Sequence, residues 1–520
     1  MTSPAGDLAQ PPTRGRRALF TAIYLVALGA FLLVGVEIIS RMVFPPQLVS
    51  VHVSNEIAYD PEIGWRGARN FSAAVPHGKY PVPVQVDINA DGFRDESWDA
   101  KLARAQARGS KRILILGDSL LYGWANPVDG RLSEQLRAHY QPEDGDVEVF
   151  NAGIPAYGPH NQLRLLPELL SRLHPHEVVL LFCNNDLGNA ALPYSLNASL
   201  GTPTRIYQPF YDAQARLLFN ARVPRRPSLA MRDTVLGGLH LWYSADQLRY
   251  ALDDWRYGRY GIPNPRNAPV QDFEFMLGNP TLRARFPYVM ATLLSEYSLM
   301  ARLCREAGAR FTFFSSVEHA PPTFELVADV LGRGLAERGV RFLVPPHDDL
   351  IYGLWRSTLH DGHPNFVWAW ILASGLYASL QDISYRLDFA EMPQMRDVPT
   401  ELDLGNEAAS VRFLGLGWDR AGGTERRLTG RASVFLRRPA AGPADLEVVG
   451  WAPQPTPIRV VGPEERELCR LTFTLPASTY HCPIAAGIPL VFVHFMPDSD
   501  LDSAHFPAIS RIALRAVTAG

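Results

Sequence analysis

At 520 residues the chain has room for two or three domains of about 150 residues each. Its 47% hydrophobic and 20% charged residues are those of a globular protein and exclude a disordered chain. The formal net charge of -3 gives no electrostatic reason to expect nucleic acid as a partner and excludes little else.

The first predicted element is an apolar stretch from Ala18 to Ser40, interrupted only by Thr21 and Glu37. A helix needs about 20 residues to cross ~30 Å of hydrocarbon. The stretch is longer than a signal-peptide core, and no small-residue cleavage site follows it. Arg14, Arg16 and Arg17 precede it and only Arg41 follows, so the positive-inside rule makes residues 1–17 a cytoplasmic tail. Residues 18–40 then form a single-pass anchor in the inner (cytoplasmic) membrane, with the remainder periplasmic or otherwise extracytoplasmic. A buried core helix or a cleaved signal is the alternative reading.

Residues 45–104 are rich in Pro, Gly and short alternating runs, and read as a β-rich collar in which "INADGFRD" offers a strand and an Asp-Gly turn. From residue 105 to 385 the pattern alternates between strands and helices. Strands fit "RILILG", "VEVF", "EVVLLFC", "RFTFFSS" and "RFLVP"; amphipathic helices fit the segments between and after them, ending with "NFVWAWILASGLYASLQ". Such alternation implies right-handed crossovers and a parallel sheet covered on both faces, a three-layer α/β/α domain. An insertion over 190–285, rich in Tyr, Pro and Arg, leaves the strand that ends in "CNND" and is placed to roof the carboxyl edge of the sheet. It reads either as a lid or acyl-chain wall, or as a surface elaboration that never meets substrate.

Residues 397–520 return to short strands separated by Gly and Pro turns, the pattern of an antiparallel β-sandwich. There Cys469 and Cys482 flank "RLTFTLPASTYH", which predicts a hairpin with the two thiols facing each other. An oxidising exterior permits a disulfide between them; two unpaired thiols are the alternative. Cys304 falls on the apolar stripe Val289, Leu293, Tyr297, Met300 and is expected in the core. No cysteine pair has zinc-site spacing.

Four polar features fall at the ends of predicted strands. "ILILGDSLLYGW" puts Ser119 in a tight turn at the carboxyl edge of the sheet, where open α/β folds bind ligands. A serine hydroxyl becomes a nucleophile only beside a base, and needs hydrogen-bond donors aimed at the developing oxyanion. The second strand ends in "VFNAGIPAYG", with Gly153 in its turn; the third ends in "LLFCNND", with Asn184 or Asn185 as an amide donor. The turn before the last helix, "LHDGHPNFVWAW", brings Asp361 and His363 to the same edge. His360 and His363 have no third ligand spaced nearby, so no metal is expected. Asp118 reads as the organiser of the serine turn, Asp186 as support for its own loop, and Trp124 and Tyr157 as walls.

"GDSL" at 117–120, the glycine of "NAG", "NND" and "DGHPN" resemble, in order, the four signature blocks of the SGNH/GDSL hydrolase superfamily. The resemblance covers about residues 55–385 and includes "YDPEIGW" and "INADGFRD", which are similar to segments preceding the core in membrane-anchored members. It implies a flavodoxin-like fold, Ser119 as nucleophile, and His363 as general base. It also implies an oxyanion hole made by the Ser119 and Gly153 N–H groups and the Asn185 amide, with no cofactor. Two departures are visible. Cys183 stands where the third block usually has glycine, and the aspartate usual three residues before the histidine is replaced by His360. Asp361 from a shifted loop or a backbone carbonyl then orients the imidazole, or the pair works as a serine–histidine dyad. "LGWDRAGGTERRLTGRASVFL" resembles β-sandwich modules attached to polysaccharide-assembly enzymes, implying glycan binding through exposed aromatics or a structural cap.

The expected function is a membrane-anchored serine esterase that removes an acyl or acetyl group from an envelope carbohydrate or lipid through an acyl-serine intermediate. The alternatives are an O-acyltransferase (O-acetyltransferase) on a cell-surface polysaccharide using the same residues, and a non-catalytic binding or assembly protein on a hydrolase scaffold. The expected partners are the acylated substrate, the membrane and the machinery of envelope polysaccharide.

Overall fold

The computed structural model describes residues 14–43, 56–75, 83–124, 126–140, 146–183, 185–191, 194–195, 206–219, 248, 252, 255, 286–315, 321–344, 363, 365–385, 398–406, 410, 413–415, 417–419, 423–439, 442–462, 466–487, 490–498 and 506–517. The chain divides into two units, Met1–His52 with Pro224–Ala268, and Val53–Val223 with Pro269–Gly520.

The first unit contains helix α1 (Arg14–Val43). Its segment Gly15–Ile39, 25 residues, is long and apolar enough to cross a membrane. Leu19, Phe20, Val26 and Phe31 leave it with exposed side chains.

The second unit opens with two antiparallel pairs, β1 (Ile57–Asp60) with β2 (Gly64–Gly67) and β3 (Ser72–Val75) with β4 (Val84–Asp87). Asp60 closes the first turn by accepting from the Glu62 and Ile63 N–H groups, and Asn89 closes the loop after β4 by accepting from Asp91 and Phe93. Helix α2 (Trp98–Arg108), capped by Ser97 and ended by left-handed Gly109, leads into the sheet.

That sheet is built from β5 (Lys111–Gly117), β6 (Val147–Gly153), β7 (Glu177–Phe182) and two later strands, with α3 (Ser119–Tyr122), α4 (Leu132–His139) and α5 (Pro159–Leu173) as the first connections. Helix α6 (Asn185–Ala191) follows β7. The antiparallel pairs β8 (Tyr194–Ser195) with β9 (Ile206–Tyr207) and β10 (Phe210–Tyr211) with β11 (Leu217–Phe219) begin the insertion, most of whose 190–285 span lies outside the described residues. Alternation resumes with α7 (Phe286–Glu306), β12 (Arg310–Ser315), α8 (Pro321–Ala336), β13 (Arg341–Leu343) and α9 (Phe366–Leu380).

All five strands are parallel, in the order β13-β12-β7-β5-β6. In chain order this is the 2-1-3-4-5 arrangement of flavodoxin-like sheets, whose ligand crevice opens where the order reverses, between β5 and β7. Every residue of β7 and the last five of β5 are buried, as in a sheet covered on both faces. Cys304 is buried in α7 as its stripe predicts, and burial pushes its thiol up to about 12.

The C-terminal segment forms two antiparallel sheets. One runs β14 (Glu401–Asp403), β22 (Ala508–Ala516), β17 (Ala444–Trp451), β20 (Ser478–Ile484), with β15 (Arg426–Arg427) also on β22. The other runs β16 (Ala432–Arg437), β21 (Leu490–Pro497), β18 (Thr456–Val461), β19 (Glu467–Phe473). The expected hairpin between Cys469 and Cys482 is not paired: β19 and β20 diverge from their turn into opposite sheets, and the cysteines form a disulfide across them with a Cα separation of 5.8 Å. Alternation alone cannot tell the two arrangements apart, because both put every second residue inward.

The sandwich and the parallel-sheet domain share one hydrophobic core. Helix α9 is buried at 13 of its positions, and so it has no polar face for solvent. It packs on α4, where Trp370 stacks on His139 at 3.7 Å and Ser374 Oγ lies 2.9 Å from His139 Nε2. Burial pulls the His139 pKa down to about 4 and keeps that ring neutral. Toward the sandwich, Phe366 meets Phe435 at 5.3 Å, and Phe435 meets Phe492 at 5.7 Å, both edge to face. Truncation by Phe435→Ala should cost about 3–5 kcal/mol in a urea titration of the whole chain. A loss below about 1 kcal/mol would show that the sandwich is only loosely attached.

Candidate active site

Ser119 is the first residue of α3 and follows β5 after a single intervening residue. Asp118 is the cap: its Oδ1 accepts the Leu120 N–H at 2.9 Å. The turn is tight enough that a Cβ on Gly117 would fall 2.8 Å from Leu121 Cβ. Ser119 is 9% exposed, so its hydroxyl is reachable only from one side. Neither its Oγ nor its N–H has a hydrogen-bond partner among the described residues, His363 included.

The turn is held from beneath by buried polar groups. Arg94, in the "INADGFRD" loop, donates to the carbonyls of Tyr122, Gly123, Asn126 and Gln85. Burial, with Arg131 adjacent, lowers its pKa to about 10, still charged at neutral pH. Asn151 on β6 donates to Leu121 O at 3.0 Å and to Ser133 Oγ at 3.1 Å. Asp95 accepts from Lys101 Nζ, Trp98 Nε1 and the Asn151 N–H, all within 3.0 Å, and ties α2 to β6.

Gly153 is brought to the same edge, opposite Gly117 in the β5–β6 register. The Gly153 N–H, expected in the oxyanion hole, donates to Asn151 Oδ1 at 2.9 Å in a buried site. The glycine is also required for packing, because a Cβ there would fall 2.5 Å from Tyr122 N and 2.8 Å from Leu121 C. Three residues on, Ala156 is buried with φ 64°, a left-handed conformation uncommon for a residue with a Cβ. It sits in a turn closed by Tyr157 N–H on Ile154 O at 3.2 Å and joined to the serine strand by Ile154 N–H on Gly117 O at 3.3 Å. Its own N–H has no partner among the described residues. Strained backbone of this sort clusters at functional sites. The sequence signal was the Pro155-Ala156-Tyr157-Gly158 turn after the strand, masked by alanine where a glycine would draw attention.

Asn185 opens α6 and donates from Nδ2 to Asp118 Oδ2 at 2.9 Å, so the amide and the serine turn share one carboxylate. Cys183 Sγ contacts Asn185 Oδ1 and lies 2.9 Å from Asp118 Oδ2. Asp186 supports its loop as expected, accepting the Cys183 N–H at 3.1 Å. The far end of α6 is fixed by His160, whose Nε2 is 3.2 Å from Ala190 O and whose Nδ1 is 2.5 Å from Glu296 Oε1, all buried.

His363 is described and half-buried, two residues before Asn365, which caps α9 by accepting from Val367 and Trp368. Asp361, His360 and Asn184 lie outside the described residues. Tyr157 is no pocket wall: it is fully buried, and its hydroxyl donates to Trp65 O at 2.6 Å. Trp124 is buried against Tyr122. Asp445, Glu447 and His481 bring ligand atoms within 4.8 Å of one another, but on the sandwich, where His481 engages Asp445 and Arg515 engages Glu447. Among the described residues no aromatic side chain of the sandwich is exposed, which removes the expected aromatic glycan surface from that part: Trp418 is buried, and Trp451 and Tyr480 are partly so.

No protein-family profile and no curated protein matches the chain. Solved structures do. The chain is similar to esterases. TesA shares 15% identity over 52% of this chain and 99% of its own, with a TM-score of 0.28. A two-domain esterase (CEX) active on acetylated mannans shares 12% over 89% of this chain and 99% of its own, also at 0.28. The lipase/acylhydrolase from Enterococcus faecalis shares 11% over 54% and 100%, again at 0.28. The four ordered blocks resemble SGNH/GDSL hydrolases, and at these TM-scores the chemistry rests on the chain's own residues.

Gly153→Ala should destabilise the chain by about 1–3 kcal/mol, by forcing α3 away from β6. Ala156→Gly should stabilise it by about 1 kcal/mol, by relieving the left-handed alanine. Thermal melts of the two variants in parallel check both signs, and equal melting temperatures would contradict the packing described.

Proposed function

We propose that the protein is a membrane-anchored serine esterase whose extracytoplasmic unit removes acyl or acetyl groups from an envelope carbohydrate or lipid. The observation that carries the reading is at the switch point of the sheet: Ser119, with an open hydroxyl and an open N–H, is joined through Asp118 to the Asn185 amide on the neighbouring strand end.

In this reading His363 takes the Ser119 hydroxyl proton as Oγ attacks the ester carbonyl. The oxyanion is met by the N–H groups of Ser119 and Ala156 and by Asn185 Nδ2. His363 then returns its proton to the leaving alcohol, giving an acyl-serine. Water, deprotonated by His363, attacks the acyl carbon and releases the acid and the free hydroxyl. Asp361 orients the imidazole. Location is supported by the apolar length of α1, by Arg14, Arg16 and Arg17 before it, and by the Cys469–Cys482 disulfide, a bond that persists in oxidising compartments.

A fluorophosphonate probe should label the full-length protein in detergent, and Ser119→Ala should abolish labelling while reducing aryl acetate hydrolysis by on the order of a thousandfold or more. His363→Ala should fall on a similar scale. Equal labelling of wild type and Ser119→Ala removes the nucleophile assignment; acid or acyl transfer seen only with an added sugar acceptor makes the enzyme a transferase. For location, alkaline phosphatase fused to the C-terminus should be active and the chain should resist carbonate extraction. A soluble mature protein lacking residues 1–40 would overturn the anchor.

A further inference from the structure

We infer that Cys183 is a positioning residue for Asn185, fixing which end of the amide faces the catalytic edge; the inference rests on the esterase reading. An asparagine side chain ends in two branches of nearly equal size and opposite character, an acceptor oxygen and a donor NH2. Only the NH2 can stabilise an oxyanion, and a flipped amide would set its oxygen against the developing negative charge.

Two neighbours decide between the orientations. Asp118 Oδ2, an acceptor, takes a hydrogen bond from Asn185 Nδ2 at 2.9 Å. Cys183 Sγ, a donor as a thiol, lies against Asn185 Oδ1. A flip would place oxygen against carboxylate and the amide donor against the thiol, losing both matches at once. The sulfur is also 2.9 Å from Asp118 Oδ2, so its one hydrogen is shared between the carboxylate and the amide oxygen. A thiolate there would face the carboxylate, so the neutral thiol is the form that fits. The arrangement is rigid: Cys183 is 2% exposed, its N–H is held by Asp186 Oδ2 at 3.1 Å, and Asp118 is held by the cap on Leu120. A glycine at position 183 would leave the choice of orientation to Asp118 alone. The thiol therefore supplies the second constraint, and it does so without touching substrate.

The test compares Cys183→Ala, which removes the donor, with Cys183→Ser, which keeps one, in the full-length protein in detergent. Expected for Cys183→Ala is a loss of about tenfold in kcat on an aryl acetate, the scale of one net hydrogen bond, with KM within about twofold. Fluorophosphonate labelling should slow in parallel, because its adduct uses the same donors. Cys183→Ser should recover kcat to within about threefold of wild type. Cys183→Val, which fills the space without a donor, should behave as alanine does and replaces it if the alanine variant fails to fold. Unchanged kcat in the donor-free variants overturns the inference, as does a serine variant that melts like wild type yet is as slow as alanine. Wild type that the probe fails to label at Ser119 overturns the esterase reading itself, whereas labelled wild type with a flat Cys183 series overturns only the inference.

Discussion

The constraint on which the site depends is the closeness of two backbones. Strands β5 and β6 end on facing glycines, Gly117 and Gly153, because α3 returns over the end of β6 with no room for a side chain between them. A helix that starts at once after a strand normally needs polar caps at both ends. Here its start is capped by Asp118, and its last carbonyls are covered by Asn151 and Arg94. The serine turn is thereby fixed by groups that come from β6 and from the collar, not from its own loop. This gives the collar a physical purpose: Arg94 holds the serine turn, and Trp65 Nε1 holds the turn after β6 by donating to Pro155 O at 2.9 Å.

Burying that many polar groups is costly unless each has a partner. Asp95 and Lys101 show how the cost is met: both are nearly inaccessible, yet Asp95 receives four donors and Lys101 also donates to Val149 O at 2.7 Å. The same economy of partners holds at Asp118, where one oxygen caps α3 and the other serves Asn185 and Cys183. Such networks are less about stability than about allowing one arrangement only.

Sequence reading reached the sheet, because parallel strands buried on both faces are continuous apolar runs such as "ILIL" and "EVVLLF" that turn signals bound cleanly. It put Ser119 and Asn185 at strand ends because they lie two and three residues beyond β5 and β7. The packing role of Gly153 was not legible, because a glycine after a strand serves equally for close approach and for an open N–H, and the closeness of α3 appears only in the fold. Ala156 was invisible for the converse reason: nothing in an alanine announces φ 64°. The cross-sheet path of Cys469 and Cys482 was hidden by a two-residue period common to hairpins and sandwich corners. The apolarity of α9 was plain in "FVWAWILASGL", but that its second face is covered by the sandwich follows from contacts 60 or more residues away, such as Phe366 with Phe435.

That division of support has a consequence for how the parts act. Ser119 and the Asn185 amide are linked through the single carboxylate of Asp118 at the switch point, so a change at Asp118, Cys183 or Asn185 reaches both. His363 is held from another side of the same core: it precedes Asn365 and α9, whose place is set jointly by α4 and by the sandwich. The sandwich thereby supports α9, and with it the segment that carries His363, through a shared apolar core. Damage to that core would then disturb α9 and the segment before it, while the contacts of Asp118 with Leu120 and Asn185 depend on neither. Under the proposed function, with no hydrogen bond between Ser119 and His363, that relative placement is what substrate binding must complete.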